Sequence, residues 1–289
     1  MREKQKEKIR RVRRAIPLEA RAGIGDKPPM LFHGNRKVLI GVVHLAPLPG
    51  SPRWQGNLAA IIKSAVADAR AYEQGGAHAI FIENFGDVPF TKSAVGPETI
   101  AAMAALGCAI RAAVKLPIGF NVLRNDARAA LALCAACGGD FIRVNVHSGA
   151  MLTDQGLIEG DAFATLRYRQ TICPAAEIFA DVHVKHAVPL GDWTLEDAAH
   201  DTLDRGLADG LIISGVGTGH AADPEDVRRV RTACPNARIL LGSGVTRENA
   251  AEFLPFADGF IVGSSLKKSG KLANPVDVKR VAALARVMK

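Results

Sequence analysis

Two short stretches near the C-terminal end share one pattern: Leu240-Leu241-Gly242-Ser243-Gly244-Val245 and Phe260-Ile261-Val262-Gly263-Ser264-Ser265. Each begins as an apolar run typical of a buried strand and breaks into glycine and serine where a helix should begin. A turn of this kind leaves backbone N–H groups uncommitted, and the N-terminus of a following helix adds a partial positive charge. The two stretches therefore predict two anion-binding turns in succession.

The same alternation of strand and helix extends through the rest of the chain. Predicted strands lie near 38–43, 79–83, 117–122, 140–145, 177–182, 209–213, 238–241 and 258–262. Predicted helices lie near 58–74, 98–115, 126–137, 161–172, 194–205, 224–233, 246–254 and 275–287. Strict alternation indicates parallel strands joined by right-handed crossovers.

The residues that introduce every second strand resemble one another. They are Ala77-His78-Ala79-Ile80, Gly139-Asp140-Phe141-Ile142, Ala208-Asp209-Gly210-Leu211 and Ala257-Asp258-Gly259-Phe260. A repeat of two strands is expected when a barrel is built from βαβα quarters, and an open doubly wound sheet gives no reason for it. We therefore predict an α/β protein with one (β/α)8 TIM-barrel domain over 37–289, preceded by a basic arm and lead-in loop over 1–36. The two glycine-serine turns then follow strands seven and eight, where such barrels bind phosphate.

The positive charge is concentrated at the N-terminus. The net charge is +8, and residues 1–14 hold eight basic and two acidic side chains, which leaves only +2 for the remainder. The arm lacks interleaved aromatic residues, so we interpret it as a solvated terminus rather than a nucleic-acid-binding segment. No apolar run has the length of a membrane span and no signal-peptide pattern precedes the first strand. The expected location is cytoplasmic, with attachment to a membrane periphery as an open alternative.

The five cysteines do not predict a disulfide framework, because their number is odd and nothing indicates a secreted protein. Cys134 and Cys137 form a single C-x-x-C pair within a predicted helix, with no second pair at zinc-finger spacing. We interpret both as packing residues.

Polar side chains follow almost every predicted strand. They are His44, Glu83 with Asn84, Asn121, Arg143 with Asn145, Asp181 with His183, Ser214, Ser243 and Ser264. In a (β/α)8 barrel the carboxyl ends of the strands form the active-site face. Charged groups inside apolar strands are costly to bury unless they pair with each other or with a ligand. A catalytic mouth is thus predicted at this face, with a structural ion network as the alternative.

Two sets of alternating residues give the predicted chemistry. Arg143, Asn145 and His147 share one face if their strand persists, as do Asp181, His183 and Lys185. Asp181 is expected to orient His183 or Lys185 for proton transfer, and Lys185 could instead form a Schiff base. The predicted catalytic residues are Asp181, His183, Lys185, Glu83, Arg143, Asn145 and His44. No cofactor is predicted; convergence of His44, Glu83, Asp181 and His183 on a divalent metal is the less favoured alternative.

Three loops lie on the same face. The stretches 85–97 and 147–160 have the length of active-site lids. The loop 215–220 is rich in glycine, which lets its backbone approach an anion, although it matches no Walker or dinucleotide motif. The predicted phosphate-binding residues are Gly217, Thr218, Gly242, Ser243, Gly244, Gly263, Ser264 and Ser265.

Four separated motifs resemble the BtpA/SgcQ family. They are Gly41-Val-Val-His44-Leu-Ala-Pro47-Leu-Pro49-Gly50-Ser51-Pro52, Thr153-Asp154-Gln155-Gly156-Leu-Ile-Glu159-Gly160, Ala180-Asp181-Val-His183-Val-Lys185-His186 and Asp258-Gly-Phe-Ile-Val-Gly263-Ser264-Ser265-Leu-Lys267. The resemblance implies a phosphate-binding (β/α)8 barrel similar in its last two strands to phosphoribosylanthranilate isomerase. It also implies a link to photosystem I biogenesis and a peripheral membrane location, which are associated with the founding cyanobacterial member.

Two functions follow from the residues and the resemblance. The first is an enzyme that acts on a small phosphorylated metabolite, a sugar or ribosyl phosphate, by acid/base isomerase, lyase or glycosidic-bond chemistry. The second is a photosystem I biogenesis factor or other assembly factor that uses the barrel as a scaffold. The expected partner is a small phosphorylated ligand, without nucleic acid and without a transmembrane segment. Barrels of this kind commonly associate, so a homo-oligomer is also expected.

Overall fold

The computed structural model describes residues 31, 37–215 and 221–288. The predicted basic arm, and Gly217 and Thr218 of the glycine-rich loop, therefore lie outside the described residues. The strands are β1 (Val38–His44), β2 (Ala79–Glu83), β3 (Ile118–Asn121), β4 (Phe141–Val144), β5 (Ala150–Thr153), β6 (Gly156–Glu159), β7 (Glu177–Val182), β8 (Ala187–Pro189), β9 (Gly210–Ile213), β10 (Ile239–Leu241) and β11 (Gly259–Val262). All except β5, β6 and β8 form a closed parallel barrel in the order β1-β11-β10-β9-β7-β4-β3-β2. The predicted (β/α)8 barrel is confirmed.

Each barrel strand is followed by a helix. The helices are α1 (Leu58–Gln74), α2 (Pro97–Ala113), α3 (Ala127–Cys137), α4 (Ala162–Ile172), α5 (Leu195–His200), α6 (Pro224–Ala233), α7 (Ala250–Phe253) and α8 (Val278–Val287). A π-helical turn over Asp201–Arg205 extends α5. The prediction of a helix over 246–254 was too long. Asn249 Oδ1 accepts a hydrogen bond from the Thr246 N–H at 2.8 Å, which holds 246–249 in a turn ahead of α7.

The similar residues that introduce every second strand form hydrogen bonds at the N-terminal end of the barrel. Asp140, Asp209 and Asp258 each accept a backbone N–H from the start of the preceding barrel strand and also pair with an arginine of the helix that leads into that strand. The N–H donors are Ile118 (2.7 Å), Ile178 (2.8 Å) and Ile239 (2.8 Å), and the arginines are Arg111 (2.7 Å), Arg169 (2.6 Å) and Arg231 (2.6 Å). In the remaining quarter His78 Nδ1 accepts the Leu39 N–H at 2.8 Å. This end is thus built from four similar quarters.

Aromatic side chains fill the barrel interior. Phe141 packs edge-on against Phe81 and Phe179, with ring centroids 4.7 and 6.0 Å apart. A Cβ atom at Gly119 would lie 2.1 Å from the Phe141 ring, so the neighbouring strand needs glycine at that position. The interior below the mouth is therefore a packed core rather than a channel.

The stretch 147–160, predicted as an irregular lid, is a β-hairpin. β5 and β6 pair antiparallel around Asp154 and Gln155, and β8 adds a third strand on the other side of β5. Gly156 has a φ of +91°, which favours glycine at the end of this turn. Met151 and Ile158 are buried in a small core of their own with Val146 and Val184. Strands of four residues give too short an alternation to be distinguished from a loop in the sequence.

Candidate functional site

The polar groups of the mouth lie on the strand faces that point into the barrel interior. Side chains two residues apart share a face of a strand, so Glu83, Arg143 and Asp181 follow the interior phenylalanines Phe81, Phe141 and Phe179. All three are buried. The barrel core thus ends in a layer of charged side chains.

Asp181 is paired with Arg143 rather than with a histidine or lysine. Arg143 Nε and Nη2 donate to its two oxygens at 2.9 and 2.8 Å, Asn145 Nδ2 donates at 3.0 Å, and Ser214 Oγ donates at 3.0 Å. Burial acts to lower the pKa of Arg143, but the contact with Asp181 outweighs it and the pKa is raised. With four donors around a buried carboxylate, Asp181 holds Arg143 and Asn145 in place.

The alternation of side chains that was expected beyond β4 and β7 does not continue. His147 and His183, which were expected at the mouth, therefore lie elsewhere. β7 ends at Val182 and His183 has a φ of +53°, which turns the chain out of the strand. His183 lines a small cavity of about 50 Å³ with Trp193. Burial lowers the pKa of His183 despite the negative charges of Asp226 and Glu196. His147 is also buried, with Nε2 2.8 Å from the Gly206 carbonyl oxygen.

Glu83, His44 and Lys185 lie together at the main cavity, which has a volume of about 700 Å³. Glu83 Oε2 accepts a hydrogen bond from Asn121 Nδ2 at 2.7 Å, and its Oε1 is 4.0 Å from His44 Nε2. Lys185 Nζ donates to Ser243 Oγ at 3.5 Å, which connects this group to the first glycine-serine turn. The structure therefore brings four predicted catalytic residues, these three and Arg143, and both predicted turns to one cavity.

The surroundings shift the pKa values of all three groups. Burial lowers the pKa of His44 to about 4, so its ring is neutral at physiological pH. Burial acts to raise the pKa of Glu83, but His44, Lys185, Arg143 and the Asn121 hydrogen bond together hold it below its ordinary value. Burial, followed by the positive charge of Arg143, lowers the pKa of Lys185. A carboxylate, a neutral imidazole and an amine with weakened proton affinity suit proton transfer.

The two glycine-serine turns supply hydrogen-bond donors to the same cavity. The backbone N–H groups of Ser243, Gly244, Ser264 and Ser265 donate to no acceptor within the described residues. Ser265 Oγ donates to the Val245 carbonyl at 2.8 Å, so this hydroxyl ties one turn to the other. Uncommitted N–H groups on two adjacent turns form an arrangement that suits an anion.

Gly242 and Gly263 lie so close to neighbouring residues that a side chain at either position would collide with them. The Gly242 N–H donates to the Ile213 carbonyl at 2.8 Å, and a Cβ atom at this position would lie 2.6 Å from Ile212. A Cβ atom at Gly263 would lie 2.3 Å from His44 Cε1. The absence of a side chain at Gly263 is what allows His44 to lie against the second turn.

Sequence reasoning missed several cationic residues of the mouth. Arg124 is buried after β3 and donates to the Lys185 carbonyl at 2.6 Å. Lys279 and Arg280 line the main cavity from the first turn of α8, where Arg280 Nη1 donates to the Ser265 carbonyl at 3.1 Å. Cations at a helix N-terminus oppose the helix dipole by about 0.3–1 kcal/mol each. This unfavourable placement is the sequence signal that could have identified Lys279 and Arg280.

The described residues contain no group of three or more histidine, cysteine, aspartate or glutamate side chains placed to hold a metal ion. Within the same part of the chain, no helix combines the length and apolar composition that crossing a bilayer requires.

The fold and the site define a (β/α)8 barrel whose mouth joins two glycine-serine turns to a buried Glu, His and Lys group. The chain belongs to the BtpA family, which it matches over residues 35–289. It is 46% identical over 250 residues to the Photosystem I biogenesis protein BtpA of Synechocystis, covering 86% of this chain and 87% of that protein. An uncharacterized mitochondrial protein of Caenorhabditis elegans is 32% identical over 263 residues, covering 87% of this chain and 93% of the relative.

Solved structures share the fold at low sequence identity. Thiamine phosphate pyrophosphorylase from Pyrococcus furiosus has a TM-score of 0.56 and 15% identity, covering 88% of this chain and 96% of that chain. Phosphoribosyl anthranilate isomerase from Thermococcus kodakaraensis has a TM-score of 0.53 and 14% identity, covering 88% of this chain and 99% of that chain. These likenesses concern the barrel architecture.

Proposed function

We propose that this protein is an enzyme that binds a small phosphorylated metabolite, a sugar or ribosyl phosphate, and catalyses proton transfer within it. The observation that carries the proposal is that one cavity holds both the two turns with uncommitted N–H groups and a buried group of Glu83, His44 and Lys185. An anion site alone fits a scaffold, but an anion site beside titratable groups with shifted pKa values fits a catalyst.

In this proposal the turns hold the phosphate while Lys185 and Glu83 act on the carbon skeleton. Lys185 has a lowered pKa, which favours the neutral amine that a base needs in order to accept a proton from the substrate. Glu83 remains ionised, and the hydrogen bond from Asn121 fixes the position of its carboxylate. Arg143 and Asp181 keep the mouth in shape without transferring protons. Isomerase, lyase and glycosidic-bond reactions all use such a proton transfer.

A thermal unfolding experiment tests the anion site. Inorganic phosphate and ribose 5-phosphate should each raise the melting temperature, because a ligand at a hundredfold excess over its dissociation constant stabilises the folded state by about 2.7 kcal/mol. Ser264→Asp places a negative charge at the second turn and should abolish the shift. Ser64→Asp, on the exposed face of α1, is the matched control and should keep it. The proposal fails if neither phosphate shifts the wild type, or if Ser264→Asp responds like Ser64→Asp.

One observation favours an accessory role as a second candidate. Leu152, 56% exposed, pairs with the 64% exposed Val188 and with Leu157, so the three-stranded sheet presents an apolar face. Exposed apolar faces of this kind mark protein contacts, and the Synechocystis relative is named for photosystem I biogenesis. This candidate expects photosystem I polypeptides to co-purify with the wild type, and to be lost when Leu152 and Val188 are both changed to glutamate.

A further inference from the structure

Two buried amides at the mouth each have a carbonyl oxygen without a hydrogen-bond donor. Asn121 and Asn145 are 1% and 3% exposed, and neither Oδ1 accepts a hydrogen bond from any donor in the described parts of the chain. Their Nδ2 groups are both committed, Asn121 to Glu83 at 2.7 Å and Asn145 to Asp181 at 3.0 Å. A buried acceptor without a donor costs free energy, so a ligand that donates a hydrogen bond to either oxygen would remove that cost.

The carboxylates fix the orientation of these amides. An ionised carboxylate only accepts hydrogen bonds, so each amide must turn its NH2 group toward Glu83 or Asp181. A flipped amide would bring two acceptor oxygens together. The free Oδ1 atoms of Asn121 and Asn145 are therefore a consequence of the charged layer beneath them.

Both amides line a third cavity, of about 310 Å³, and Asn145 also lines the small cavity of His183. Its other walls include the aromatic side chains of Phe85 and Phe90, from the loop after β2. Glu83 and Lys185 line this cavity and also the main cavity that holds the glycine-serine turns. The two cavities thus meet at the proposed proton-transfer groups.

The order of strands places the amides across the mouth from the turns. In the closed order β1-β11-β10-β9-β7-β4-β3-β2, β3 and β4 are each four strands away from β10 and β11 respectively. Asn121 ends β3 and Asn145 follows β4, whereas the two turns follow β10 and β11. A ligand whose phosphate lies on the turns and whose body extends across the barrel passes Glu83 and Lys185 and ends at the two amides.

We propose that Asn121 and Asn145 form a second subsite, which accepts hydrogen bonds from hydroxyl or N–H groups at the end of the substrate opposite its phosphate. This inference rests on the proposed function, because it takes the turns as the phosphate site. The substrate class is then a phosphate monoester whose distal end carries hydrogen-bond donors, as in a polyhydroxylated or amino-substituted chain. Plain alkyl phosphates lack these donors and leave both oxygens unpaired, so they bind more weakly.

Calorimetric binding of two five-carbon phosphates tests the subsite. Ribose 5-phosphate carries hydroxyl donors and n-pentyl phosphate carries none, so the wild type should bind the former more tightly by at least about tenfold. Asn121→Leu and Asn145→Leu should each reduce this ratio by about threefold or more while keeping the affinity for inorganic phosphate. Asn236→Leu, at an exposed amide before β10 at the opposite end of the barrel, is the control and should keep the ratio.

The outcomes separate this inference from the function on which it rests. Equal affinity for the two organic phosphates, or a preference that both leucine variants retain, overturns the subsite while leaving the phosphate site intact. Failure of inorganic phosphate and both organic phosphates to bind overturns the proposed function, and the subsite with it. A general weakening of all three ligands in the leucine variants, with an unchanged ratio, also contradicts the subsite, because it indicates a structural role.

Discussion

Among the described residues, aspartate–arginine pairing occurs at both ends of the barrel, three times at the N-terminal end and once at the mouth, in different surroundings. At the N-terminal end the pair occurs in three of the four quarters, and each aspartate also accepts a backbone N–H. At the C-terminal end the Arg143–Asp181 pair occurs once, beside two amide oxygens that lack donors among the described residues and a lysine with a lowered pKa. Repeated, satisfied pairs indicate stability, whereas a single pair among unsatisfied groups indicates a ligand site.

The largest effect is expected from breaking the pair at the mouth. Asp181→Ala leaves Arg143 charged, buried and without its carboxylate, since the two side chains are 0% and 4% exposed. The loss in unfolding free energy should be about 3–5 kcal/mol, measured by urea denaturation. A loss below about 1 kcal/mol would show that the pair is not what holds the mouth together.

A smaller loss of unfolding free energy is expected from breaking a pair at the N-terminal end of the barrel. Asp209→Ala removes a partner of Arg169 and the acceptor of the Ile178 N–H, but Asp209 is partly exposed, so the cost should be about 2 kcal/mol. Phosphate affinity should stay unchanged, because the variant lies at the other end of the strands. If Asp209→Ala weakened phosphate binding as strongly as Ser264→Asp, the separation between the two ends would be wrong.

The lowered pKa of His44 at the mouth should make the free energy of unfolding depend on pH. The folded-state pKa of His44 is about 4 and its ordinary value is 6.5, so between these values the unfolded chain binds a proton that the folded chain does not. This contribution is complete above about pH 6.5 and is lost as the pH falls toward 4. From about pH 7.5 to about pH 5, wild type should lose about 2 kcal/mol more unfolding free energy than His44→Gln. Equal losses in the two proteins would contradict the buried, neutral His44.

The smallest effect concerns the link between the two turns. Ser265→Ala removes the hydrogen bond to the Val245 carbonyl and should cost about 1 kcal/mol of unfolding free energy. Phosphate should bind a few-fold more weakly, because the two sets of N–H groups are no longer held together. An unchanged phosphate affinity would show that the turns keep their places without Ser265.

The fold could be predicted closely from the sequence because its signals are local. Each barrel strand was recognised from an apolar run, and its bounds in the structure agree to within about one residue. The period of two strands was visible through Asp140, Asp209 and Asp258, whose shared role explains why the sequence repeats. The hairpin over β5 and β6 was missed because its strands are short and end in polar residues rather than forming a continuous apolar run.

The site could be predicted only in part. The prediction that polar residues follow the strands located His44, Glu83 and the turns, which line one cavity in the structure. The expected partnership of Asp181 with His183 was wrong, because β7 ends at Val182 and the positive φ of His183 is not visible in a strand-like sequence. The free oxygens of Asn121 and Asn145 depend on contacts between residues that are distant in the chain.

The most direct test of the account is an electron-density map of crystals soaked in inorganic phosphate. We expect an anion between Gly244 and Ser264, within hydrogen-bond distance of the uncommitted N–H groups of both turns. Well-ordered turns that hold only water at saturating phosphate, or an anion bound elsewhere on the barrel, would contradict the central claim that this end of the barrel is built to bind a phosphorylated substrate.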